Sequence, residues 1–153
     1  MALLLVSACG FPGNGPHGSP RDPDVPISSI ALFEQSRLEG DWREVAGYPR
    51  GSAAAGVYRI TSGGAAISGP GRYLPVRGRA PLRRVGPGRL EVGREVLWVL
   101  WVDADYRTLV LGSPDGQIGA VLNRGGPISS DRLEAARRVL DFNGYDLSRL
   151  EVL

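Results

Sequence analysis

The sequence of 153 residues contains a single cysteine, a single histidine and no lysine. One cysteine excludes a disulfide within the chain, and one histidine excludes a histidine-rich metal site. No apolar run approaches the roughly 18 residues that a membrane-spanning helix needs. We therefore expect no metal site, and any attachment to a membrane must come from something other than such a helix.

Glycine and proline are abundant instead, with 22 and 12 residues, and 42% of the chain is hydrophobic. This composition excludes a disordered chain and favours one globular domain built from many short strands joined by turns. All 18 basic residues are arginine. Genomic base composition explains that bias most simply, and the alternative is a surface that holds phosphate or carboxylate through planar guanidinium groups.

The first nine residues combine an apolar stretch with a short motif. Val6, Ser7, Ala8 and Cys9 match, position by position, the lipobox of bacterial lipoproteins. The resemblance implies that residues 1–8 are a truncated lipoprotein signal peptide, whose true start lies upstream, and that Cys9 becomes the acylated N-terminus. Acyl chains contribute about 0.8 kcal/mol per buried methylene, so several chains anchor a protein firmly. The alternative is an apolar terminus with an incidental cysteine.

A stretch rich in proline and glycine follows the cysteine. Residues 10–26 hold four glycines and five prolines and almost no large apolar side chains. Such a stretch cannot form a core, and it predicts an extended tether over residues 9–28 that reaches roughly 50 Å. The folded domain is then expected over residues 29–153.

Alternation of side chains predicts a series of short strands in this domain. The first strand has Trp42, Glu44 and Ala46 on one face. The other strands are expected over residues 56–60, 64–68, 72–76, 80–85, 90–92, 96–102, 106–111 and 118–124. Strands at such short intervals favour an up-and-down barrel. The strand over 96–102 is apolar on both faces, so it needs a cover on each side.

One helix is predicted after these strands. Asp131 is the expected N-cap, with Glu134 as its partner in a capping box, and Gly144 is expected to end the helix. An apolar stripe along it is formed by Leu133, Ala136, Val139 and Leu140. This stripe and the barrel interior would cover the two faces of the strand over 96–102.

Three motifs occur in order along the domain. They are Gly40-Asp41-Trp42 with Glu44-Val45-Ala46, then Asp103-Ala104-Asp105-Tyr106-Arg107, and last Leu122-Asn123-Arg124. They are similar to the three conserved regions of the lipocalin family, and the chain resembles that family's bacterial outer-membrane lipoprotein branch. The resemblance implies a mainly β fold, an up-and-down antiparallel lipocalin-like (calycin) β-barrel with one C-terminal α-helix packed outside.

The resemblance also implies a structural signature at one end of the barrel. Its residues are Gly40, Trp42, Asp105, Tyr106 and Arg124. In the family, the equivalent of Trp42 plugs the closed end of the barrel, and the equivalent of Arg124 packs across its ring. A guanidinium over an indole is attractive by roughly 0.5–2 kcal/mol.

As for function, the resemblance implies binding, transport or storage of a small hydrophobic ligand, a fatty acid or lysophospholipid, in the bacterial cell envelope. The protein would be lipid-anchored through Cys9 in the outer membrane, facing the periplasm, with no cofactor and no nucleic-acid partner. The expected ligand-binding side chains are Glu44, Tyr58, Ile60, Tyr73, Trp98, Leu100 and Leu122. Alternation along the strand does not decide which of its two faces points inward, so Val99 and Trp101 are the alternative inward pair. Glu44 is either an acceptor on the cavity floor or the partner of an arginine.

The domain contains neither histidine nor cysteine, which excludes Ser–His and Cys–His nucleophilic catalysis, so we expect that the protein is not an enzyme. The alternative to a carrier is a structural or interaction lipoprotein of the envelope, whose barrel is filled and holds no ligand. Residues 72–94 carry seven arginines and one acidic residue. They are either solvated strand edges or a rim that attracts an anionic headgroup or membrane surface.

Overall fold

The computed structural model describes residues 18–61 and 66–153. In these residues the strands are β1 (Gly40–Gly47), β2 (Val57–Ile60), β3 (Ala66–Ser68), β4 (Arg79–Gly86), β5 (Arg89–Val92), β6 (Glu95–Val102), β7 (Thr108–Gly112), β8 (Gly119–Asn123) and β9 (Glu151–Val152). The helix α1 spans Ser130–Phe142, and short 3-10 helices span Gln35–Leu38 and Leu147–Arg149. Cys9 and the predicted signal peptide lie outside the described residues.

Strands β1 to β8 form a closed antiparallel barrel. Each strand from β2 to β7 pairs with the strand that follows it, and β1 closes the ring by pairing with both β2 and β8. The short strand β9 adds to the outside of the ring, against Ala46 and Gly47 of β1. The expected up-and-down antiparallel barrel, with one C-terminal α-helix outside it, is confirmed.

Two apolar clusters lie on the two sides of the barrel wall. The interior cluster includes Trp42, Tyr58, Ile67, Tyr73, Leu74, Leu82, Leu90, Leu97, Val99, Leu109, Leu111 and Leu122. The outer cluster, beneath α1, contains Ala46, Tyr48, Leu100, Val110, Val121, Ala136, Leu140 and Tyr145. Strand β6 contributes to both clusters, so it is covered on both faces as its sequence predicts.

Bulges in β1 and β6 decide which side chains point inward. The pairing of β1 with β8 slips between Glu44 and Ala46, and Ala46 therefore joins the outer cluster. The expectation that Ala46 shares a face with Trp42 and Glu44 is wrong, because an extra residue shifts the alternation by one. A second slip follows Val99 in β6, and Trp101 packs against the outer cluster.

The segment over residues 72–76 is not the strand that was expected. It belongs to the connection from β3 to β4. Proline at position 75 has no N–H for a strand ladder, and the N–H groups of residues 72 to 74 donate to a side chain instead of to a neighbouring strand. The connection thus leaves the plane of the barrel wall.

The start of α1 also differs from the expectation. The N-cap is Ser129, whose hydroxyl accepts a hydrogen bond from Arg132 N at 3.4 Å, and the capping box expected at Asp131 is wrong. Ser129 has the extended backbone of an N-cap, whereas Asp131 already lies in the first turn. The end of the helix is as expected, since Gly144 follows it with φ +84°.

In the described part of the predicted tether, the chain packs on the domain from Pro20 onward. Arg21 is only 5% exposed and forms an isolated β-bridge with Tyr145. Its guanidinium donates to the main-chain carbonyls of Val25, Pro114 and Asn143. These acceptors allow a charged side chain to be buried. Residues 20–28 therefore belong to the folded domain, and the boundary expected at residue 29 is wrong.

The end of the barrel where β1 begins is closed by Trp42. Its ring is fully buried, and Nε1 donates to the carbonyl of Leu38 at 2.7 Å. The guanidinium carbon of Arg124 lies 4.4 Å from the centre of this ring. Arg124 also donates to the carbonyls of Arg37, Glu39 and Tyr106 at 2.6 to 2.7 Å. The stacking expected between Trp42 and Arg124 is present.

Gly40 and Tyr106 complete the closed end. Gly40 has φ +121°, and a Cβ there would lie 3.4 Å from a guanidinium nitrogen of Arg124. Tyr106 has φ +55°, and its hydroxyl accepts from Glu34 N at 2.8 Å. The Arg37 guanidinium lies 3.9 Å from the centre of the Tyr106 ring. A second arginine–aromatic pair thus supports the first one.

Candidate functional site

The end of the barrel where β1 ends is its mouth, and the connections that follow β1 and β3 lie at this end. Residues 48–56 join β1 to β2, and residues 69–78, which we call the mouth segment, join β3 to β4. Tyr73, Leu74 and Val76 of the mouth segment lie in the interior cluster and are 0%, 2% and 4% exposed. The mouth is therefore filled by side chains of a connection rather than of a strand.

Glu44 of β1 holds the mouth segment from inside the barrel. Glu44 is only 1% exposed, and both of its carboxylate oxygens accept hydrogen bonds. Oε1 accepts from Tyr73 N at 2.9 Å, Leu74 N at 3.2 Å and the Tyr58 hydroxyl at 3.0 Å. Oε2 accepts from Gly56 N at 2.8 Å and Arg72 N at 2.9 Å. These five donors compensate for burial of the charge.

This geometry decides between the two roles expected for Glu44. No guanidinium in the described part of the chain donates to it, and its contact with Arg72 is through the main-chain N–H. Glu44 is an acceptor inside the barrel, and its partners are mainly backbone. The partnership with an arginine side chain is therefore wrong.

Glycines allow the mouth segment to pack closely against the barrel. A Cβ on Gly71 would lie 1.3 Å from the Tyr58 hydroxyl oxygen, and a Cβ on Gly56 would lie 1.5 Å from the carbonyl oxygen of Pro70. A Cβ on Gly47 would lie 2.5 Å from the Tyr73 ring. Real Cβ atoms do not come this close to other atoms, so no side chain fits at these positions while the segment is seated.

The outer end of the mouth segment is fixed by a salt bridge to β9. The Arg72 guanidinium donates to both carboxylate oxygens of Glu151 at 2.7 and 2.8 Å. The Tyr73 hydroxyl donates to the same carboxylate at 3.3 Å. Hydrogen bonds from Arg72 hold the pKa of Glu151 below its ordinary value. The two side chains are 25% and 35% exposed, so water reaches this bridge.

Two tyrosines at the mouth stay protonated at neutral pH. Burial, followed by the nearby charge of Glu44, raises the pKa of Tyr58 far above its ordinary value. Burial also raises the pKa of Tyr73 to about 12, and the charge of Glu151 adds to this effect. Both hydroxyls therefore remain donors to the carboxylates that they contact.

The residues predicted to bind a ligand divide between the two sides of the wall. Those in or against the interior cluster are Glu44, Tyr58, Ile60, Tyr73 and Leu122. Trp98 and Leu100 pack in the outer cluster, so the prediction that they face inward is wrong. Of the alternative pair, Val99 points inward and Trp101 does not. Leu97 faces inward as well.

Ile60 lies near the closed end, away from the mouth. With Gln35, Ser36, Glu39 and Thr61 it lines a cavity of about 160 Å³ that opens beside the first 3-10 helix. Ile60 pairs with Gly40 in the register of β1 and β2, whereas Trp42 pairs with Tyr58, so Ile60 lies two residues further toward the closed end than the Trp42 plug. It is therefore separate from the group of residues around Glu44.

The interior wall is tightly packed in this structure. Leu97 and Val99 are 0% exposed, Leu122 is 1% exposed and Leu111 is 2% exposed. A side chain that borders a water-sized cavity keeps accessible area, so Leu97 and Val99 border no such space. A ligand that contacts these two side chains must displace the groups that now cover them.

The loop over residues 103–107 is built as a turn. The Asp103 carboxylate accepts from the N–H groups of Arg107 and Thr108 at 2.7 and 2.5 Å, and Asp105 is exposed. In residues 18–61 and 66–153 there is no group of three or more His, Cys, Asp or Glu side chains that could hold a metal ion. Among the same residues, no helix has both the length and the apolar character required to cross a membrane.

A family model described as a lipocalin-like domain matches residues 84–153 of this chain. The matched region contains strands β5 to β9 and α1. No curated protein matches the sequence.

Solved structures share the fold over most of the chain. The major cockroach allergen Per a 4 has a TM-score of 0.61 at 10% identity, and the match covers 86% of this chain and 95% of the allergen. Insecticyanin from the tobacco hornworm Manduca sexta has a TM-score of 0.60 at 14% identity, covering 83% of each chain. The siderocalin Ex-FABP has a TM-score of 0.58 at 17% identity, covering 77% and 94%. At these identities the likeness concerns the fold alone.

Proposed function

We propose, from the premise that this chain has a lipocalin-like fold, that it binds a small hydrophobic ligand inside its barrel. Lipocalins are generally binding proteins without catalytic activity. The observation that carries the proposal is that the side chains filling the mouth belong to a connection and not to a strand. Tyr73, Leu74 and Val76 come from a connection, which can move while the strand ladders around it stay paired. An apolar space would then open behind it.

A fatty acid or a lysophospholipid is the first class of ligand to test. The inward side chains of β6 and β7 are aliphatic and suit an acyl chain. Arg77, Arg79 and Arg94 are exposed near the mouth, and the ion pairs among the described residues use none of them. Exposed guanidinium groups at this end favour an anionic headgroup that stays outside the barrel.

The test is titration of the purified, delipidated full chain with the fluorescent fatty acid cis-parinaric acid, followed by competition with unlabelled palmitate. We expect saturable binding of one probe per chain at micromolar concentration, and full displacement by palmitate. The absence of saturable binding would contradict the proposal.

Phe142→Ser is the matched control for that titration. Phe142 is 74% exposed and lines an apolar groove of about 370 Å³ with Leu100 and Val139 on the outside of the barrel. A probe that binds in the barrel keeps its affinity in this variant, whereas a probe held on the outer groove loses it.

We further propose that Cys9 carries the lipid anchor of an outer-membrane lipoprotein that faces the periplasm. The support is the match of residues 6–9 to the lipobox. The test is metabolic labelling with an alkyne analogue of palmitate in a bacterial host, with residues 6–153 expressed behind a complete lipoprotein signal peptide. Label should enter the wild-type protein and be lost in Cys9→Ser, and equal labelling of the two proteins would contradict this anchor.

A second candidate function is a structural or interaction role for a filled barrel. The burial of Leu97, Val99, Leu111 and Leu122 favours it, because these inward side chains are at most 2% exposed. In that case neither cis-parinaric acid nor any other apolar probe binds inside. The same titration therefore separates the two functions.

A further inference from the structure

We propose that the ligand of this barrel carries a hydrogen-bond donor, a hydroxyl or an amine, at its buried end, and that this donor replaces the mouth segment on Glu44. The inference rests on the ligand-binding function proposed above and narrows its ligand class. It concerns the inner end of the ligand, which meets Glu44, and not a headgroup that stays outside.

The requirement follows from what Glu44 loses when the mouth segment leaves. Three of its five donors are main-chain N–H groups of that segment, at residues 72, 73 and 74. Only Gly56 N and the Tyr58 hydroxyl belong to the part of the site that stays. The surrounding aliphatic walls offer no replacement. A buried carboxylate that keeps only two of its five donors is destabilised, so a ligand that supplies donors in their place binds more tightly than one that supplies none.

This requirement separates ligands that have the same apolar chain. A primary ammonium offers three N–H donors, the number that the mouth segment withdraws, and a hydroxyl offers one. A carboxylate offers none and would face Glu44 with a like charge. A fatty acid that keeps its carboxylate outside the mouth would place a methyl end beside Glu44 instead, which leaves the acceptors unsatisfied.

For a ligand to reach Glu44, the mouth segment must leave as a unit. It would give up the burial of Tyr73, Leu74 and Val76, the close backbone approach at Gly56 and Gly71, and the bridge from Arg72 to Glu151. That bridge is partly exposed, so water can take over its hydrogen bonds. Glycines at both ends, Gly69 and Gly78, have positive φ and allow the chain to turn there.

The test compares dodecylamine, dodecanol and dodecanoate below their micellar concentrations. Each compound displaces the neutral probe N-phenyl-1-naphthylamine from the full chain at pH 7. We expect the amine and the alcohol to bind at least tenfold more tightly than dodecanoate, which corresponds to about 1.4 kcal/mol. The formal net charge of +2 acts in the opposite direction, since it favours the anion.

Glu44→Gln tests whether the preference for a donor depends on the Glu44 carboxylate. The ratio of amine to dodecanoate affinity should fall at least tenfold in this variant and stay unchanged in Glu134→Gln, where the acid is exposed on α1. Tightest binding of dodecanoate to the wild type, or an unchanged ratio in Glu44→Gln, would overturn the inference while the ligand-binding function stands. If no compound binds, the proposed function fails, and this inference fails with it.

Gly71→Ala keeps the proposal testable if Glu44→Gln does not fold. Its Cβ collides with the Tyr58 hydroxyl and the Leu74 carbonyl, so the mouth segment can no longer sit as it does, while the Glu44 carboxylate itself is kept. We expect several-fold tighter binding of dodecylamine in Gly71→Ala. Gly86→Ala is the control, because a Cβ there meets only the Arg89 side chain at 3.4 Å. Equal affinity for dodecylamine in both alanine variants would contradict the replacement of the mouth segment by ligand.

Discussion

Replacing Glu44 with glutamine tests the hydrogen-bond network that closes the mouth. The amide keeps one acceptor oxygen, but its NH₂ group takes the place of the oxygen that accepts from Gly56 N and Arg72 N. Two N–H donors then face another donor. Each unsatisfied buried donor costs about 1–3 kcal/mol, and the lower cost of burying a neutral amide offsets part of this. We expect Glu44→Gln to lower the free energy of unfolding by about 2–4 kcal/mol.

The measurement is urea unfolding at pH 7, followed by tryptophan fluorescence and by circular dichroism. Glu134→Gln is the control, because Glu134 forms an exposed ion pair with Arg138 at 3.2 Å and such pairs contribute less than about 0.5 kcal/mol. A free energy of unfolding in Glu44→Gln that lies within about 0.5 kcal/mol of the wild type would refute the role given to this network.

Three further predictions concern other parts of the fold. Trp42→Ala should lower the free energy of unfolding by about 3–5 kcal/mol and the melting temperature by several degrees, because it removes a fully buried ring and the partner of Arg124; an unchanged melting curve argues against the closed end described above. Ser129→Ala should lower the free energy of unfolding in urea by about 0.5–1 kcal/mol, whereas Ser130→Ala, one residue inside the helix, should lower it less. The reverse order would show that Ser129 is not the N-cap. Arg72 lowers the pKa of Glu151 in the folded protein, so the bridge contributes to stability above the unfolded pKa of about 4.3, and this contribution is lost as the pH falls through the folded pKa. Glu151→Gln should therefore flatten the acid side of the plot of unfolding free energy against pH. Parallel plots for the variant and the wild type would contradict the bridge.

The closed end was predictable because its contacts follow short, recognisable motifs. Trp42 lies four residues after the carbonyl that its indole donates to, and Arg124 directly follows β8, the strand beside β1. Alternation and turn residues predicted the barrel, and the apolar stripe predicted the outer helix. The plug was predicted by the resemblance of these motifs to the lipocalin family.

The mouth was not predictable in the same way. Glu44 is bonded to main-chain N–H groups 28 to 30 residues away, and backbone donors leave no signal in the identity of the residues that carry them. The only available signal was the cluster of glycines and prolines over residues 69–78. It indicated irregular structure but not that this segment contacts Glu44. The expected strand over 72–76 failed for that reason.

The inward pair on β6 also lay beyond what the sequence determines. The strand is apolar on both faces, so hydrophobicity does not distinguish the face of Leu97 and Val99 from the face of Trp98 and Leu100. Burial of Arg21 escaped prediction too, because its acceptors are carbonyls from distant segments.

The most direct test of the whole account is amide hydrogen exchange of the full chain with and without bound dodecanol. If the ligand takes the place of the mouth segment, exchange at residues 72–74 speeds up on binding, while the amides of β7 and β8 keep their protection. Unchanged or slower exchange at residues 72–74 in the saturated complex would contradict the account, because Glu44 would still be holding those three N–H groups.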